Sequence, residues 1–493
     1  MLTMKKYLIP IILFFCAFPV FGQTVADVLR YSNLQPSGTA RFLGVGGAMG
    51  ALGADYGAIA INPASLALYR TDELVVTPAL HFSKVKASLP GGNVDKQSRS
   101  AFGFDNFGLV FNTLPRKSHW TTFNVAIGMN RLANFSQSAF YEGKGKGSVM
   151  NGFFKDAQQV LNNGGNEDGL YPFGSRLAWD ANAIYLDQNQ NLSYDFIDNP
   201  NATIDRSQTL LTYGRMNEMN ISFAGNYEDK LAVGVTVGVP FVNYRIEGEY
   251  KESDPADSVT YFDGLTYTEY LRTEGVGFNA KLGLTYRVTH EFRLGVAFHT
   301  PTLLNLTDTY DNTFAYNFTD GDGSVVGDPV QSLEGRADYK LRTPWRAVAS
   351  AALVVKKSGF ISADLEWVDY TANNYNLDAD VPNADNARFE RELNNEIARA
   401  YKQAMNVRLG GELAIDQLRL RAGVNLIGKP YEGETGFNTA YTAGIGVRGE
   451  SFYVDLGYRR YTGKGSIRPY SDAPVASTTV QNSDLLLTVG FKF

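Results

Sequence analysis

The 493-residue chain carries 45 Lys+Arg against 51 Asp+Glu, a formal net charge of −6, with 13% aromatic residues and 49 glycines. That balance lacks the basic footprint of a nucleic-acid binder, and a single cysteine provides no disulfide framework. A mean hydropathy of −0.20, with no later apolar run of ~18 residues, excludes a helical membrane protein but not a β-barrel, whose strands hide only every second residue in lipid.

In chain order, Lys5 and Lys6 precede an apolar run from Tyr7 to Phe21, and Val20-Phe21-Gly22 offers small residues for cleavage before Gln23. Residues 1–22 read as a secretory signal peptide. Cys16 lies inside it, and Leu13-Phe14-Phe15 lacks the small residue of a lipoprotein signal. The mature chain is therefore expected to have no cysteine nucleophile and no thiolate metal site. Residues 23–72 do not alternate in polarity. They hold the glycine-dense run Gly44 to Gly53, then Ile61-Asn62-Pro63-Ala64. Asn62 before Pro63 reads as an N-cap and first helical residue. A nucleotide-binding reading of the glycines fails, because the spacing is not GxGxxG and no βαβ unit surrounds it. A small apolar segment of this kind fits inside a barrel, as a plug or hatch spanning 23–72.

From Glu73 to Phe493 the chain alternates apolar and polar residues. Tight links (Glu228-Asp229, Val288-Thr289-His290, Lys356-Lys357-Ser358, Asp416-Gln417, Gly449-Glu450-Ser451) take turns with the long stretches 135–214, 252–265, 310–334, 372–402 and 462–482. Short turns on one side and long loops on the other are the signature of a transmembrane β-barrel. In the last strand Leu485, Leu487, Val489, Phe491 and Phe493 share one face, and Asp484, Thr488, Gly490 and Lys492 the other. Its terminal aromatic resembles the signal read by the barrel insertion machinery. About fourteen antiparallel strands are expected, beginning near 73, 99, 120, 215, 230, 266, 291, 335, 359, 402, 417, 437, 452 and 482. An even count puts both barrel ends in the periplasm and the long loops outside the cell.

The glycine run leading into Asn62-Pro63-Ala64, ahead of about fourteen strands, resembles the FadL family of outer-membrane channels for long-chain fatty acids and other hydrophobic compounds. The resemblance implies an all-β, fourteen-stranded barrel in a Gram-negative outer membrane, with an N-terminal hatch and passive uptake. A ligand would land on extracellular loops, enter the lumen and leave sideways through an irregular third strand. In that strand Phe123, Val125, Ile127 and Met129 keep one parity, which puts Arg131 on the lipid face. Charge at mid-membrane costs ~2–4 kcal/mol on a barrel surface. Either a bulge after Met129 turns Leu132 outward instead, or Arg131 snorkels at the membrane edge. Gly128, Asn130 and Arg131 are thus the candidate lateral gate, with Asn62-Pro63-Ala64 beside it.

In the 135–214 loop, Phe153, Phe154, Ala157, Val160 and Leu161 follow helical spacing, as do Leu177, Ala181, Ile184 and Tyr185. Two such helices form either a greasy groove, with Phe153, Phe154, Val160, Leu161, Leu177 and Ile184 binding ligand, or a self-packed lid. A helix around Phe389, Leu393, Ile397 and Tyr401 caps the far side of the mouth. Parity places Asp364, Glu366, Arg408, Glu412, Arg419, Arg421, Arg448, Asp455, Arg459 and Lys492 in the lumen. They either form paired ladders or leave an arginine (Arg408, Arg419 or Arg421) to meet a ligand carboxylate. His81 and His299 point inward and His119 and His290 lie in periplasmic turns, so no metal or cofactor site is specified. Asp320 to Ser324 lacks the glycine and bidentate Glu of a calcium loop. No Ser/His/Asp set suggests an enzyme. The implied partners are a hydrophobic small molecule such as a fatty acid, outer-membrane lipid and lipopolysaccharide, and the insertion machinery, with no nucleic acid. The competing reading is a FadL-shaped component of type IX protein secretion that receives cargo; it needs an exposed docking face, whereas a transporter needs a pocket leading to the wall.

Overall fold

The computed structural model describes residues 24–35, 37–320, 323–377 and 384–493. Residues 1–22, expected to be a signal peptide, and the middle of the calcium-like run, 321–322, lie outside the described residues. The chain from Glu73 onward forms a closed antiparallel barrel of 14 strands. They are β1 (Glu73–Ser88), β2 (Asp95–Thr113), β3 (Trp120–Asn134, resuming as Gln137–Lys146), β4 (Thr203–Tyr227), β5 (Leu231–Ser253), β6 (Phe262–Arg287) and β7 (Phe292–His299, resuming as Leu303–Asp320). Then follow β8 (Gly335–Arg342, resuming as Arg346–Val355), β9 (Gly359–Asp369), β10 (Gln403–Ile415), β11 (Leu418–Gly428), β12 (Phe437–Arg448), β13 (Phe452–Ile467) and β14 (Ala476–Lys492). β14 pairs back onto β1, with Val489 opposite Val76, so no free edge remains at the seam.

The predicted parity holds where strands cross the membrane. On β14, Leu487 and Phe491 are exposed to the lipid side, whereas Asp484, Leu486 and Thr488 are buried inside. Glu228 and Asp229 both take positive φ, the conformation of a two-residue hairpin whose twist matches the strands. β7 and β8 break at Pro301 and Pro344, which lack a ladder N–H; the flanking Thr343 N–H donates to Thr302 O at 3.0 Å, so the two breaks serve each other. β4, β5 and β6 run 25, 23 and 26 residues. They are longer than a membrane crossing needs and rise above it as a wall; β4 therefore begins at Thr203, within the stretch expected to be loop.

Residues 24–35 and 37–72 lie inside the barrel. α1 (Asp27–Ser32) sits highest, among Leu132, Met216, Val242, Leu304 and the helix α6 (Ala384–Ala400). Below it the chain circles the inner wall. α2 (Ala40–Gly44) rests on β12 to β14, where Ala40 N donates to Thr488 Oγ1 at 2.7 Å and Thr442 Oγ1 to Gly44 O at 3.0 Å. Gly46 and Gly47, at φ +67° and +74°, turn the chain along β10 and β11. The Gly50 N–H reaches Asp364 Oδ2 of β9 at 3.1 Å. α3 (Tyr56–Ile59), capped by the Asp55 carboxylate accepting from Gly57 N, lays the Tyr56 ring over Gly108 and Gly128. Asn62 caps a 3-10 helix, Pro63–Leu68, by accepting from Ala64 N at 3.0 Å.

The hatch fits because glycines face it from the wall. A Cβ on Gly44 would stand 3.2 Å from Gly444 Cα, and one on Gly410 or Gly423 would press into Val45. Close backbone approach of this kind is open only to glycine.

Asn62-Pro63-Ala64 does not sit beside the third strand. Asn62 and Pro63 pack on Gly283 of β6 and Gly234 of β5, with Asn62 Nδ2 donating to Gly50 O at 2.6 Å and Leu284 O at 3.2 Å. Tyr56 is the hatch residue that meets Gly128. The Pro63–Leu68 turn reaches β3 only at its periplasmic end, through Thr122 and Asn124 donating to Ala67 O and Leu66 O.

Two outcomes are expected. The chain has one native cysteine, at position 16. An added Lys155→Cys on the outer side therefore reacts with a membrane-impermeant maleimide on intact cells, and Asp416→Cys on the turn side does not; the reverse pattern means the barrel is inverted. In the hatch, Asn62→Ala loses a cap and a donor, a cost of about 1–2 kcal/mol. Gly283→Val drives a side chain into Asn62 and is expected to displace the hatch outright. Limited proteolysis of residues 40–70 in assembled barrels should rank Gly283→Val above Asn62→Ala above wild type.

Candidate functional site: a gap in the wall and the cavity behind it

β2 and β3 are paired only from Asn106/Asn130 to Thr113/Phe123. Above that rung β2 keeps its pairing with β1 as far as Asp95. β3 instead follows β4, and its resumed stretch Gln137–Lys146 pairs with β4 alone. Ala139 and Tyr141 of that stretch are buried with Val85 and Ala87 of β1 and with Ile467 and Ala476 of β13 and β14. The upper part of β3 therefore passes inside the barrel, behind β1 and β2, and leaves the β2 edge 95–105 without a strand partner.

Two irregularities bring this about. β2 carries a bulge that lets one residue on β1 face two on β2: Thr77 opposes Asn106 while Pro78 opposes Phe104, so Asp105 and Asn106 both turn inward. β3 shifts register between Arg131 and Ala133. Asn106 Nδ2 donates to Asn130 Oδ1 at 2.7 Å and forms the last rung.

Arg131 neither faces lipid nor snorkels. It is turned inward at the bulge and is 4% exposed; Leu132 is also buried, against Val28, Leu29 and Tyr31, and does not point outward. Mid-wall burial of a guanidinium requires partners. Arg131 Nη1 stands 3.0 Å from Asp105 Oδ1, and Nη2 donates to Phe104 O at 3.2 Å on the open edge of β2. From there a chain of charges crosses the barrel seam. His81 bridges Asp105 at 2.9 Å and Asp484 at 2.6 Å, and Arg459 Nε reaches Asp484 Oδ2 at 2.8 Å. The hatch joins in through Ser37, whose N–H donates to Arg131 O at 2.9 Å and whose hydroxyl donates to Asp105. Gly128, by contrast, still pairs with Gly108 under the Tyr56 ring and lies below the gap.

Behind the gap is a cavity of about 450 Å³. Its floor is the charged chain. Leu29, Leu132, Ala133 and Phe135 give it apolar lining, and Tyr431 and Tyr461 line it as well. Charged and apolar side chains thus share the lining, Arg30, Glu434 and Lys464 among the charged ones. The sequence reading missed His81, Asp105 and Asp484 as a group; their inward parity was visible, but their convergence depends on strand order around the seam.

The other candidate residues are engaged. Arg408 Nη2 pairs with Glu366 at 2.8 Å, and Glu366 also holds Arg346 at 3.0 Å. Arg421 spans Glu412 at 2.6 Å and Asp455 at 2.7 Å, and hatch Arg41 joins Glu412 at 3.2 Å. Arg419 is not lumenal: it lies at the periplasmic turn, donating to Asp416 O and Leu418 O. The paired-ladder reading describes these groups, and none of the three arginines stands free for a ligand.

The loop helices α4 (Met150–Asn162) and α5 (Ser175–Asp180) also pack shut; Ile184 lies beyond α5 rather than on it. Phe153, Leu177 and Ile184 are buried with Phe196, Phe262 and Phe314, and Phe154 and Val160 lie against the same cluster. This is a lid core, not an open groove; Leu161 is half-buried at the end of α4. The lid is pinned to the β5 extension by Glu252, which accepts from the Val149 N–H at 3.1 Å and the Tyr250 hydroxyl at 2.7 Å. Burial pushes its carboxyl above the usual range despite Arg206 nearby. On the opposite side, Leu393 and Ile397 of α6 and Tyr401 just beyond it close over α1, with Tyr401 O–H donating to Val25 O at 2.5 Å.

Residues 20–435 match the family described as outer membrane protein transport protein (OMPP1/FadL/TodX). Among solved structures, the chain is similar to the toluene transporter TodX of Pseudomonas putida, with 12% identity and a TM-score of 0.51, covering 93% of this chain and 99% of that one. A FadL homologue of Pseudomonas aeruginosa gives 12% and 0.54 over 93% and 99%. The toluene transporter TbuX of Ralstonia pickettii gives 14% and 0.50 over 94% and 99%. At these identities the likeness is one of fold. No curated protein matches the sequence. The barrel with its internal hatch, matched along most of its length, belongs to the OMPP1/FadL/TodX family of outer-membrane transport proteins, and the chain is a channel of the outer membrane for hydrophobic compounds rather than an enzyme.

Proposed function

We propose that the cavity is the ligand site and that the unpaired stretch of β2 is the exit, so that ligand passes sideways into the membrane instead of through the hatch. The observation that carries this reading is the coincidence of the two: the cavity is lined by Arg131 to Gln137, the residues where β3 leaves the wall. The hatch below is closed by contacts around the whole inner wall and offers no such opening. Transport of this kind needs no energy source and runs down a gradient into lipid.

Within that reading the preferred ligand is a fatty acid or a similar single-headed amphiphile. A volume of about 450 Å³ lies within the ~300–1,000 Å³ of small-molecule sites. A lining that joins the charged groups His81, Asp105, Arg131 and Asp484 to apolar Leu29, Leu132 and Phe135 suits a carboxylate with a hydrocarbon tail better than an unsubstituted ring. The neighbours named as toluene transporters make an aromatic hydrocarbon the alternative ligand. Cargo reception of the secretion type is less favoured, since the aromatic residues of α4 and its neighbours are spent on the lid core rather than on a docking face.

The test is uptake of labelled oleate and labelled toluene by cells carrying this barrel alone. Leu132→Trp fills the cavity from its apolar lining and is expected to lower oleate uptake about tenfold, with unchanged amounts of heat-modifiable barrel in the membrane. A variant that crowds the gap, Gly103→Leu, whose side chain would press on the Arg131 guanidinium, should lower uptake likewise. Normal oleate uptake in both variants would sink the lateral route. Toluene uptake without oleate uptake in the wild type would retain the route and replace the ligand.

A further inference from the structure

On the lipid-facing side of the barrel seam, near the extracellular rim, lies a field of cations without acids. The registers place them in rows. Lys464 of β13 is opposite Thr479 of β14, Thr479 is opposite Lys86 of β1, and Lys86 is opposite Lys96 of β2. One row below, Gln481 lies between Thr462 and Lys84, and Lys84 faces Ser98. In the next, Ser483 lies between Arg460 and Phe82. Five cations on β13, β1 and β2, with β14 lying between the first two, thus span four adjacent strands within two rows of spacing, an area of roughly 15 by 14 Å at ~4.8 Å between strands and ~6.8 Å between same-face residues.

Three features set this field apart from an ordinary charged rim. First, Lys86 and Lys96 stand directly opposite each other, and like charges in that position are destabilising unless something neutral or anionic comes between them. Second, their neighbours are donors and acceptors without charge: Arg460 makes its hydrogen bonds to Ser483 and Gln481, and among the described residues no carboxylate is paired with any of the five. Third, on the opposite side of the barrel several outward cations carry acids of their own. There Arg245 pairs with Glu247, Lys251 with Glu249, Arg272 with Glu274 and Arg336 with Asp338, each on its own strand.

The height is that of lipid head groups. Outward residues on β1 are apolar from Leu74 through Val76, Pro78, Leu80 and Phe82, and the first charge is Lys84. Eight residues of tilted strand rise about 20 Å, close to the ~25 Å apolar band of such barrels. Tyr458, Leu485, Leu80 and Phe102 form the apolar row just beneath the cations. A surface that faces lipid has lipid as its occupant, and this one selects for negative charge.

We infer that Lys84, Lys86, Lys96, Arg460 and Lys464 form a binding site for a phosphorylated glycolipid of the outer leaflet, with its phosphates on the two lysine rows and its acyl chains on the apolar row beneath. A lipid with two phosphates spans the rows as one phosphate does not. The site lies beside the unpaired edge of β2, so the bound lipid stands at the margin of the wall gap.

Native mass spectrometry of the detergent-purified barrel tests this with bis-phosphorylated lipid A, with its dephosphorylated form and with inorganic phosphate as competitor. The variants are Lys84→Gln/Lys86→Gln/Lys96→Gln/Lys464→Gln and a control on the far face, Arg245→Gln/Lys251→Gln/Arg272→Gln. Unchanged heat-modifiable migration on gels establishes that each is folded, and a milder Lys86→Gln/Lys96→Gln pair serves if the quadruple variant is not. The expected result is retention of lipid A by wild type and control, a tenfold or greater loss in the patch variants, and a similar loss on removing the phosphates. Equal retention by patch variant and wild type overturns the site. So does an equal loss in the control, or displacement of lipid A by millimolar inorganic phosphate, which would make the patch a general anion surface.

Discussion

A polypeptide inside hydrocarbon has to pair every backbone N–H and C=O within itself, and the architecture of this chain follows from that demand. It explains the closure of β14 onto β1 and the mutual service of the two proline breaks in β7 and β8. It also makes the unpaired stretch of β2 costly. The protein meets that cost with a side chain: the Arg131 guanidinium stands where the next rung of β3 would be and donates to the Phe104 carbonyl. Opening a wall and burying a cation are each unfavourable alone. Here each answers the other, and Asp105, His81 and Asp484 supply the charge balance that lets the guanidinium remain.

The same accounting explains the crowded ionic lumen. A charge withdrawn from water is tolerated only when an opposite charge stands close to it. The Arg41–Glu412–Arg421–Asp455–Arg448 network and the Arg346–Glu366–Arg408 triad satisfy that rule by joining strand to strand, the first also reaching from hatch to wall. These groups hold the plug in register. They are poor ligand anchors, because a substrate carboxylate would have to displace a partner already in place.

Much of the fold was legible in the sequence because a strand in a bilayer has a simple period: the starts near 73, 120, 359, 437 and 452 fall within a residue of the observed ones. Legibility failed where strands leave that setting. Thr203 to Tyr213 of β4 rise above the membrane with both faces half-covered, so the apolar alternation fades and the segment reads as loop. Parity misplaced Arg131 because a bulge resets it, and misplaced Arg419 because the turn begins there. The glycine run was readable as a close-packing segment, but not which wall it meets. Gly234 and Gly283, which receive Asn62 and Pro63, are ordinary strand glycines until the strand order is known. The cation field was hidden for a related reason: its members lie on β1 and β2 at one end of the chain and on β13 at the other, and they join only across the seam.

The contacts of the hatch differ in strength along its length, and this bears on how a sideways route would open. From Ala40 to Leu68 the segment is held around the barrel by backbone approach to glycines and by buried hydrogen bonds to β3, β6, β9, β12 and β14. Shifting it would break many of these at once. Residues 24–35 and Ser37 instead lie across the top, with α1 packed by side chains and Ser37 tethered to Arg131 and Asp105. A ligand entering the cavity meets this stretch, through Leu29 and Ser37, before it meets the plug. In the proposed route the Ser37 tether is therefore the element to yield, because moving it disturbs the guanidinium that bridges the gap and leaves the hatch below seated.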